Sequence, residues 1–239
     1  MAVEIKEYIE FGGHNTKDYG LYLETREADA PTEDEQVESI PYRQGQEDFG
    51  FLTGERIFKQ RSLKYTFVYP STQYTLRKRV ENDVKRDFMP LFNEKLYDSH
   101  DVGYYWQGKV SDIKATDDAT KGLLKIEFTF SVYPFAFKES GNEASDLWDG
   151  FDFDNDILQP SWFNVAGYKE ASFVNNGTNS ITPLVYCQSD FRIGVGGSTY
   201  YFNSKKTEDY WLKIPVGETK MQLYGTGQIQ IILRQEVML

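Results

Sequence analysis

The chain lacks the means for a disulfide framework: it has one cysteine, Cys187, and so no second thiol to pair with it. Cys187 closes the strand-like run Pro183-Leu184-Val185-Tyr186-Cys187, where a thiol serves as a small buried apolar group. Histidine is scarce as well. The two present, His14 and His100, each stand beside Gly, Asn, Ser or Asp in turn-like settings, which reads as surface turn positions and leaves general-base chemistry without its commonest agent. No G-x-S-x-G nucleophile elbow occurs and no serine stands where a base would orient it, which argues against a Ser-His-Asp hydrolase. No apolar run approaches the roughly 20 residues that cross a bilayer. The opening Met1-Ala2-Val3-Glu4-Ile5-Lys6-Glu7 has no basic stretch followed by an apolar core, so synthesis and assembly in the cytoplasm are expected.

Helical periodicity is nearly absent too. It appears once, from about Thr72, where Leu76, Val80, Val84, Phe88 and Leu91 fall close to one stripe of a 3.6-residue period, and Pro90 predicts an end or kink near Met89. Around this helix the chain reads as strand. Ser62 to Tyr69 precedes it, and Tyr104 to Val110 and Leu124 to Phe130 follow with the period of two of a half-buried strand. Upstream, Ile5 to Phe11 and Gly20 to Leu23 are separated by Gly12-Gly13-His14-Asn15, a turn cluster, and a hairpin is expected around Leu52-Thr53-Gly54-Glu55.

Tyr and Phe number 17 each, an aromatic load that suits pleated surfaces. The reading is a mainly β protein with a minor α component. Between Phe137 and Ser172 periodicity collapses, which sets a boundary: a first domain over 1–137, a sheet with one packed helix, and a second over 138–239 that opens with a linker at 138–170. From Ala171 short strand-like runs separated by turns suggest a β-sandwich: Ala171–Asn175, Leu184–Gln188, Phe191–Val195, Thr199–Phe202, Tyr210–Ile214, Met221–Tyr224 and Ile229–Leu233.

Net charge is −11, with 18 basic against 24 acidic residues up to Phe137 and 8 against 13 beyond it. Both halves therefore repel phosphates, and neither sequence-specific nucleic-acid recognition nor docking on an anionic membrane is expected. The acids cluster at Glu24, Glu27, Asp29, Glu33, Asp34, Glu35 and Glu38, a stretch that reads as a solvated, mobile loop. The helix differs: Arg77, Lys78, Arg79, Lys85 and Arg86 outnumber Glu81, Asp83 and Asp87. Arg77, Arg79, Lys85 and Arg86, with the acidic Glu33, Asp34 and Glu35, are therefore candidate interface residues.

Sites for chemistry are weak. Asp152, Asp154 and Asp156 imitate the start of a calcium loop, but Ile157 stands where glycine is needed and Phe163 where a bidentate acid is needed. Asp149 and Asp152 flank aromatics as a glycosidase pair might be drawn, a pattern that almost any acidic aromatic loop would satisfy. Gly194-Val195-Gly196-Gly197-Ser198-Thr199 lacks the lysine and helix of a phosphate loop and reads as a hairpin turn. No catalytic residue, metal or cofactor is expected, and the chain is not read as an enzyme. Trp148, Trp162, Tyr200, Tyr201 and Trp211 could stack on sugars, which makes a carbohydrate-binding module the alternative; the bland reading of such rings is core or interface.

Taken in order, Phe11, Asp18-Tyr19-Gly20-Leu21-Tyr22, Ile40-Pro41-Tyr42-Arg43, the helix, Tyr104-Tyr105 and Tyr133-Pro134-Phe135-Ala136-Phe137 resemble the N-terminal domain of the distal tail proteins of long-tailed, non-contractile bacteriophages. Phe173-Val174-Asn175-Asn176-Gly177-Thr178 with Thr182-Pro183-Leu184-Val185 resembles the opening strands of that family's galectin-like C-terminal sandwich. The resemblance implies a homo-hexameric ring at the virion tail tip, built by the N-terminal domains, with the sandwiches projecting outward. It implies as partners the major tail protein, the tail-associated hub protein and receptor-binding or baseplate proteins. DNA would pass through a lumen whose acidity keeps it from sticking. The large carbohydrate-binding or arm insertions of some members have no room in 239 residues.

Overall fold

The computed structural model describes residues 4–50, 55–138 and 159–239. The hairpin expected at Leu52-Thr53-Gly54-Glu55 falls largely outside them, as do Trp148, Asp149, Asp152, Asp154 and Asp156. The chain forms two compact units, Met1–Ala136 with Met238–Leu239, and Phe137–Val237.

In the first unit β1 (Ile9–Phe11), β2 (His14–Asn15), a short 3-10 helix (Thr16–Tyr19) and β3 (Tyr22–Glu27) come first. A separate ribbon of β4 (Val37–Glu38) and β5 (Glu47–Asp48) follows, then β6 (Arg61–Pro70), α1 (Tyr74–Phe88), β7 (Glu94–Asp98), β8 (Tyr104–Asp118) and β9 (Leu123–Val132). Seven strands of a nine-stranded sheet pair antiparallel in the order β2-β1-β7-β8-β9-β6-β3. Alternation decides its buried face: Leu63, Tyr65 and Phe67 of β6 lie opposite Phe130, Phe128 and Ile126 of β9, all buried.

That sheet curls onto its own apolar face. Arg26 of β3 and Asp98 of β7 are four strand positions apart, which a flat sheet would separate by roughly 19 Å. The Arg26 Nε lies 2.7 Å from the Asp98 carboxylate. Phe11 of β1 likewise meets Phe130 of β9 at 5.2 Å between ring centres. Helix α1 packs Val84 and Phe88 into this core, Phe88 against Phe128 at 5.2 Å and Tyr19 at 5.8 Å. It ends at Phe88, with Met89 as its C-terminal cap and Pro90 next, as the sequence predicts.

Three readings of this half need correction. Leu76 is exposed and Arg77 takes its place on the buried side, because the guanidinium finds a carboxylate there. The acids Glu24 and Glu27 belong to strand β3 and pair with Lys125 and Lys64, so the acidic segment does not begin as a loop. Glu33 and Asp34 are held too, by Arg56 at 2.5 Å and Lys59 at 3.5 Å.

Short strands β10 (Ala136–Lys138) and β16 (Glu236–Val237) pair with each other. The rest of the second unit comprises β11 (Trp162–Asn175), β12 (Leu184–Cys187), β13 (Phe191–Val195), β14 (Ser198–Phe202) and β15 (Gly217–Ile232). The predicted linker 138–170 therefore ends too late, since Trp162–Glu170 already belong to β11. Two predicted runs, Met221–Tyr224 and Ile229–Leu233, merge into β15, and Tyr210–Ile214 is no strand, only Ile214 bridging Ile181.

One sheet here makes both layers of a sandwich. Phe163 and Phe173 of β11 would stand roughly 33 Å apart on a straight strand, yet their rings are 5.5 Å apart. The fold-over falls where Gly167 (φ +88°) pairs with Gly225 (φ +154°), beside Gly227 (φ +127°). Past the bend β15 pairs with β12 through Ile229–Ile232, and before it with β13 through Gln222–Tyr224. The halves thus close over Phe163, Val185, Ile229 and Ile231 on one side and Phe173, Ile193, Met221 and Leu223 on the other. Cys187 is buried in this core as expected, and burial pushes its thiol pKa up.

Gly225 is the tightest point of the bend: a Cβ there would lie 2.6 Å from the Phe191 ring and 3.0 Å from the Asp190 carbonyl. Gly225→Ala should cost about 3 kcal/mol of stability, from backbone strain and overpacking together. Gly196→Ala, with φ +56° and nothing within 4 Å, should cost about 1 kcal/mol. Urea unfolding of the two variants checks this, and equal losses would show that the bend does not depend on glycine.

Candidate functional site

The densest set of titratable groups surrounds Asp98, at the end of β7. Its buried carboxylate accepts from Arg26 Nε at 2.7 Å, the Tyr65 hydroxyl at 2.8 Å, the His100 backbone N–H at 2.9 Å and His100 Nδ1 at 2.8 Å. Arg26 also pairs with Asp101. Burial pushes the Asp98 pKa up, but these donors outweigh it and hold the carboxyl below the usual range. For Asp101 burial prevails and its pKa rises, while burial and then the Asp98 charge raise that of Tyr65.

An aspartate on a histidine Nδ1 is one part of a hydrolytic triad, but here the aspartate is shared with three further donors, Arg26, Tyr65 and the His100 backbone N–H. The neighbouring Ser99 hydroxyl accepts the Tyr8 N–H. The arrangement ties β3 and β6 to β7, and its geometry is that of a structural tie. Sequence reasoning missed it. Asp98-Ser99-His100-Asp101 carries a visible turn signature, but Arg26 lies 72 residues away and nothing local announces it. His14 sits near the Tyr19 hydroxyl at 3.3 Å and against Phe88 at 5.8 Å between ring centres. Among the described residues no cluster of His, Cys, Asp and Glu side chains could hold a metal ion.

The outer side of α1 is the first candidate interaction surface. Tyr74, Thr75, Lys78, Arg79, Asn82, Asp83 and Arg86 line a shallow concavity there. Lys78 and Lys85 both reach Glu81, at 3.0 and 2.7 Å; Arg86 reaches Asp83 and Asp87 at 2.8 Å, and Arg79 reaches Asp83 at 3.7 Å. The basic excess read from the sequence is therefore met within the helix itself. Arg77 is removed from this surface: its side chain is 3% exposed, chelates Asp117 and donates to the Ser71 carbonyl at 2.7 Å. The Asp117 pairing raises its pKa.

The second candidate surface is the segment that carries β4 and β5. Glu33 and Asp34 are engaged by Arg56 and Lys59, while Glu35 is exposed. Between and beside the strands Val37, Ile40, Tyr42 and Phe49 are exposed, and Tyr42 adopts φ +65°. Apolar groups that are not among the interface residues read from the sequence thus accompany the acids.

Among the described residues, the rings proposed for sugar stacking do not form one group in the second unit. Trp162 lies opposite Gln230, with Tyr186 on the other side of that glutamine, in the half of the sheet beyond the bend. Tyr201 is exposed on β14, in the half before it. Tyr200 packs against the core and its hydroxyl donates to the Trp211 carbonyl at 3.0 Å. Trp211, 77% exposed, stacks edge-on with Tyr210 at 5.3 Å.

These features define a mainly β chain of one curled sheet with a packed helix and one folded-over sheet. No family model matches it, and no curated protein matches it. Among solved structures it is similar to the crystal structure of SPP1 Dit (gp 19.1), described as a paradigm of the hub adsorption apparatus in phages that infect Gram-positive bacteria. The TM-score is 0.59 at 10% identity, over 94% of this chain and 97% of that chain. At that identity the likeness is one of fold.

The Asp98 network yields a signed pH dependence. A folded pKa below the unfolded value of about 3.9 gives stability that is present above that pH and lost as pH falls through the folded value. Asp98→Asn should lower stability at neutral pH by about 3 kcal/mol and flatten the acid limb of the stability curve. Asp101, shifted the other way, contributes with the opposite sign, so Asp101→Asn should cost less. Urea unfolding across acidic pH reads both, and equal losses would contradict the assignment of Asp98 as the centre.

Proposed function

We propose that this chain is a structural hub subunit of a bacteriophage tail tip, of the distal tail type. The observation that carries the reading is the fold likeness to SPP1 Dit, which spans both units and nearly the full length of each chain. The motif order read from the sequence supports it independently. In this reading the segment 1–137 builds a homo-hexameric ring and 138–239 is a galectin-like sandwich that projects from it. The ring links the major tail protein to the tail-associated hub protein and to receptor-binding or baseplate proteins, and DNA passes through an acidic lumen.

Two surfaces suit the contact between copies. The segment with β4 and β5 offers Ile40 and Tyr42 with Glu33, Asp34 and Glu35, and α1 offers Arg79, Lys85 and Arg86 beside exposed Tyr74 and Leu76. Because the helical cations already have partners within the helix, a ring contact would exchange one set of ion pairs for another. Its net stability would then come from apolar burial, and the charges would set register. The alternative, a carbohydrate-binding module as the main role, has in its favour the exposed Trp162, Tyr201 and Trp211.

The full chain should therefore run as a hexamer by light scattering, alone or with its tail partners. Replacing Arg79 and Arg86 together by Glu should abolish the hexamer, most clearly at low salt, while cooperative unfolding is retained, since exposed pairs contribute little. A monomer at all concentrations and with all tail partners would refute the ring. An unchanged hexamer in the double variant would remove α1 from the contact.

A further inference from the structure

The outer face of β13, β14 and β15 holds a concave site of about 350 Å³ whose chemistry runs against that of the chain as a whole. Its floor follows from strand alternation. Met221 and Leu223 point into the core, which turns Lys220, Gln222 and Tyr224 outward; Phe191 and Ile193 do the same for Arg192 and Gly194. Register sets Arg192 beside Tyr224 and Gly194 beside Gln222. The Gly196-Gly197 turn with Ser198 and Thr199 closes one end. A side chain at position 194 would press on Gln222, 3.2 Å from a Cβ, so glycine keeps the floor open.

Two cations face this groove and no carboxylate lines it. Arg192 and Lys220 have no ion-pair partner among the described residues, whereas the cations of α1 are paired. The nearest acids in register are Glu170, opposite Gln222 on β11, and Glu218, two residues from Lys220 on β15 and held by the Ser172 hydroxyl at 2.6 Å; neither lines the groove. The Arg192 guanidinium lies 5.6 Å from the centre of the Tyr224 ring, which Tyr168 flanks at 5.2 Å. The Tyr224 hydroxyl donates to Gln222 Oε1 at 3.0 Å, which fixes that amide with its NH2 left to donate. Hydroxyls, an amide, an aromatic wall and two free cations are complementary to a ligand that carries both hydroxyls and negative charge.

We propose that this groove binds an anionic carbohydrate, a sugar or polyol chain bearing phosphate or carboxylate groups, with Arg192 and Lys220 on the charges and Gln222, Ser198 and Thr199 on the hydroxyls. A peptide would need apolar anchoring that this lining lacks. A nucleic acid, with a charge at every backbone step, would meet the acidic remainder of the surface. Spaced charges on a hydroxyl-rich chain avoid both penalties.

The test is titration calorimetry of the full chain, at low and at physiological salt, with three polymers of matched length: dextran bearing widely spaced phosphate groups, hyaluronan and uncharged dextran. Binding to one or both charged polymers, weakening with salt, and none to dextran is the expected result; which of the two binds identifies the anion. Arg192→Ala and Lys220→Ala should each weaken binding about tenfold or more. Lys205→Ala, outside the groove, should leave it unchanged, and all three variants should melt like the parent. No binding to either charged polymer, equal binding to dextran, full affinity in both groove variants, or an equal loss in Lys205→Ala would each overturn the proposal.

Discussion

An antiparallel sheet has two faces, and a chain that must bury only one of them in a small unit has to curl the sheet until its apolar face meets itself. In the first unit the contact that records this closure is the Asp98 carboxylate. It draws Arg26 and Tyr65, four and three strand positions away, to within hydrogen-bond distance. The aromatic residues supply the bulk of the driving force, but apolar contact is indifferent to register. A buried carboxylate with four donors is not, because any slip leaves a charge unpaired where water cannot reach it. Helix α1 then needs to cover little: Val84 and Phe88 suffice, and Arg77 can spend its place in the stripe on Asp117.

The second unit meets the same requirement with backbone instead of charge. Its longest pair, β11 with β15, is continuous through the bend, so the two layers of the sandwich are joined by covalent strand and not by loops alone. Only residues free of a Cβ fit where Gly225 passes the Phe191 ring. That device is economical in chain length, and it places β12 and β13 on the same edge of β15 while they belong to opposite layers.

These differences explain what could be read without coordinates. Alternation in β6 and β9, the helix and its stop at Pro90, and the paired-glycine turns after Phe11 and Val195 depend on neighbours a few residues away, and all were legible. The strand β11 was read only in its second half, because Gly167 and the exposed Tyr168, Lys169 and Glu170 interrupt the pattern at the bend, where both faces meet water. Arg77 was placed outside because a helical wheel sorts residues by polarity, and a buried ion pair defeats that sorting. Asp98 drew no notice at all, since its meaning lies in Arg26 and Tyr65, and the groove at Arg192 and Lys220 exists only once the register of β13 and β15 is known.

Charge placement separates the surfaces further than net charge can. Along α1 each outward cation has an acid three or four residues away or adjacent, so the helix is close to neutral at short range and offers a neighbour geometry more than potential. At the Arg192 and Lys220 groove the cations are left without acids in a chain of net charge −11, a local arrangement that long-range attraction within the chain does nothing to explain. An unpaired cation on a sheet face costs little while water solvates it, and it repays nothing to the fold. The asymmetry therefore bears on binding: along α1 the cations are paired, and at Arg192 and Lys220, where they are left free, the surface around them is concave, hydroxylated and open to a ligand.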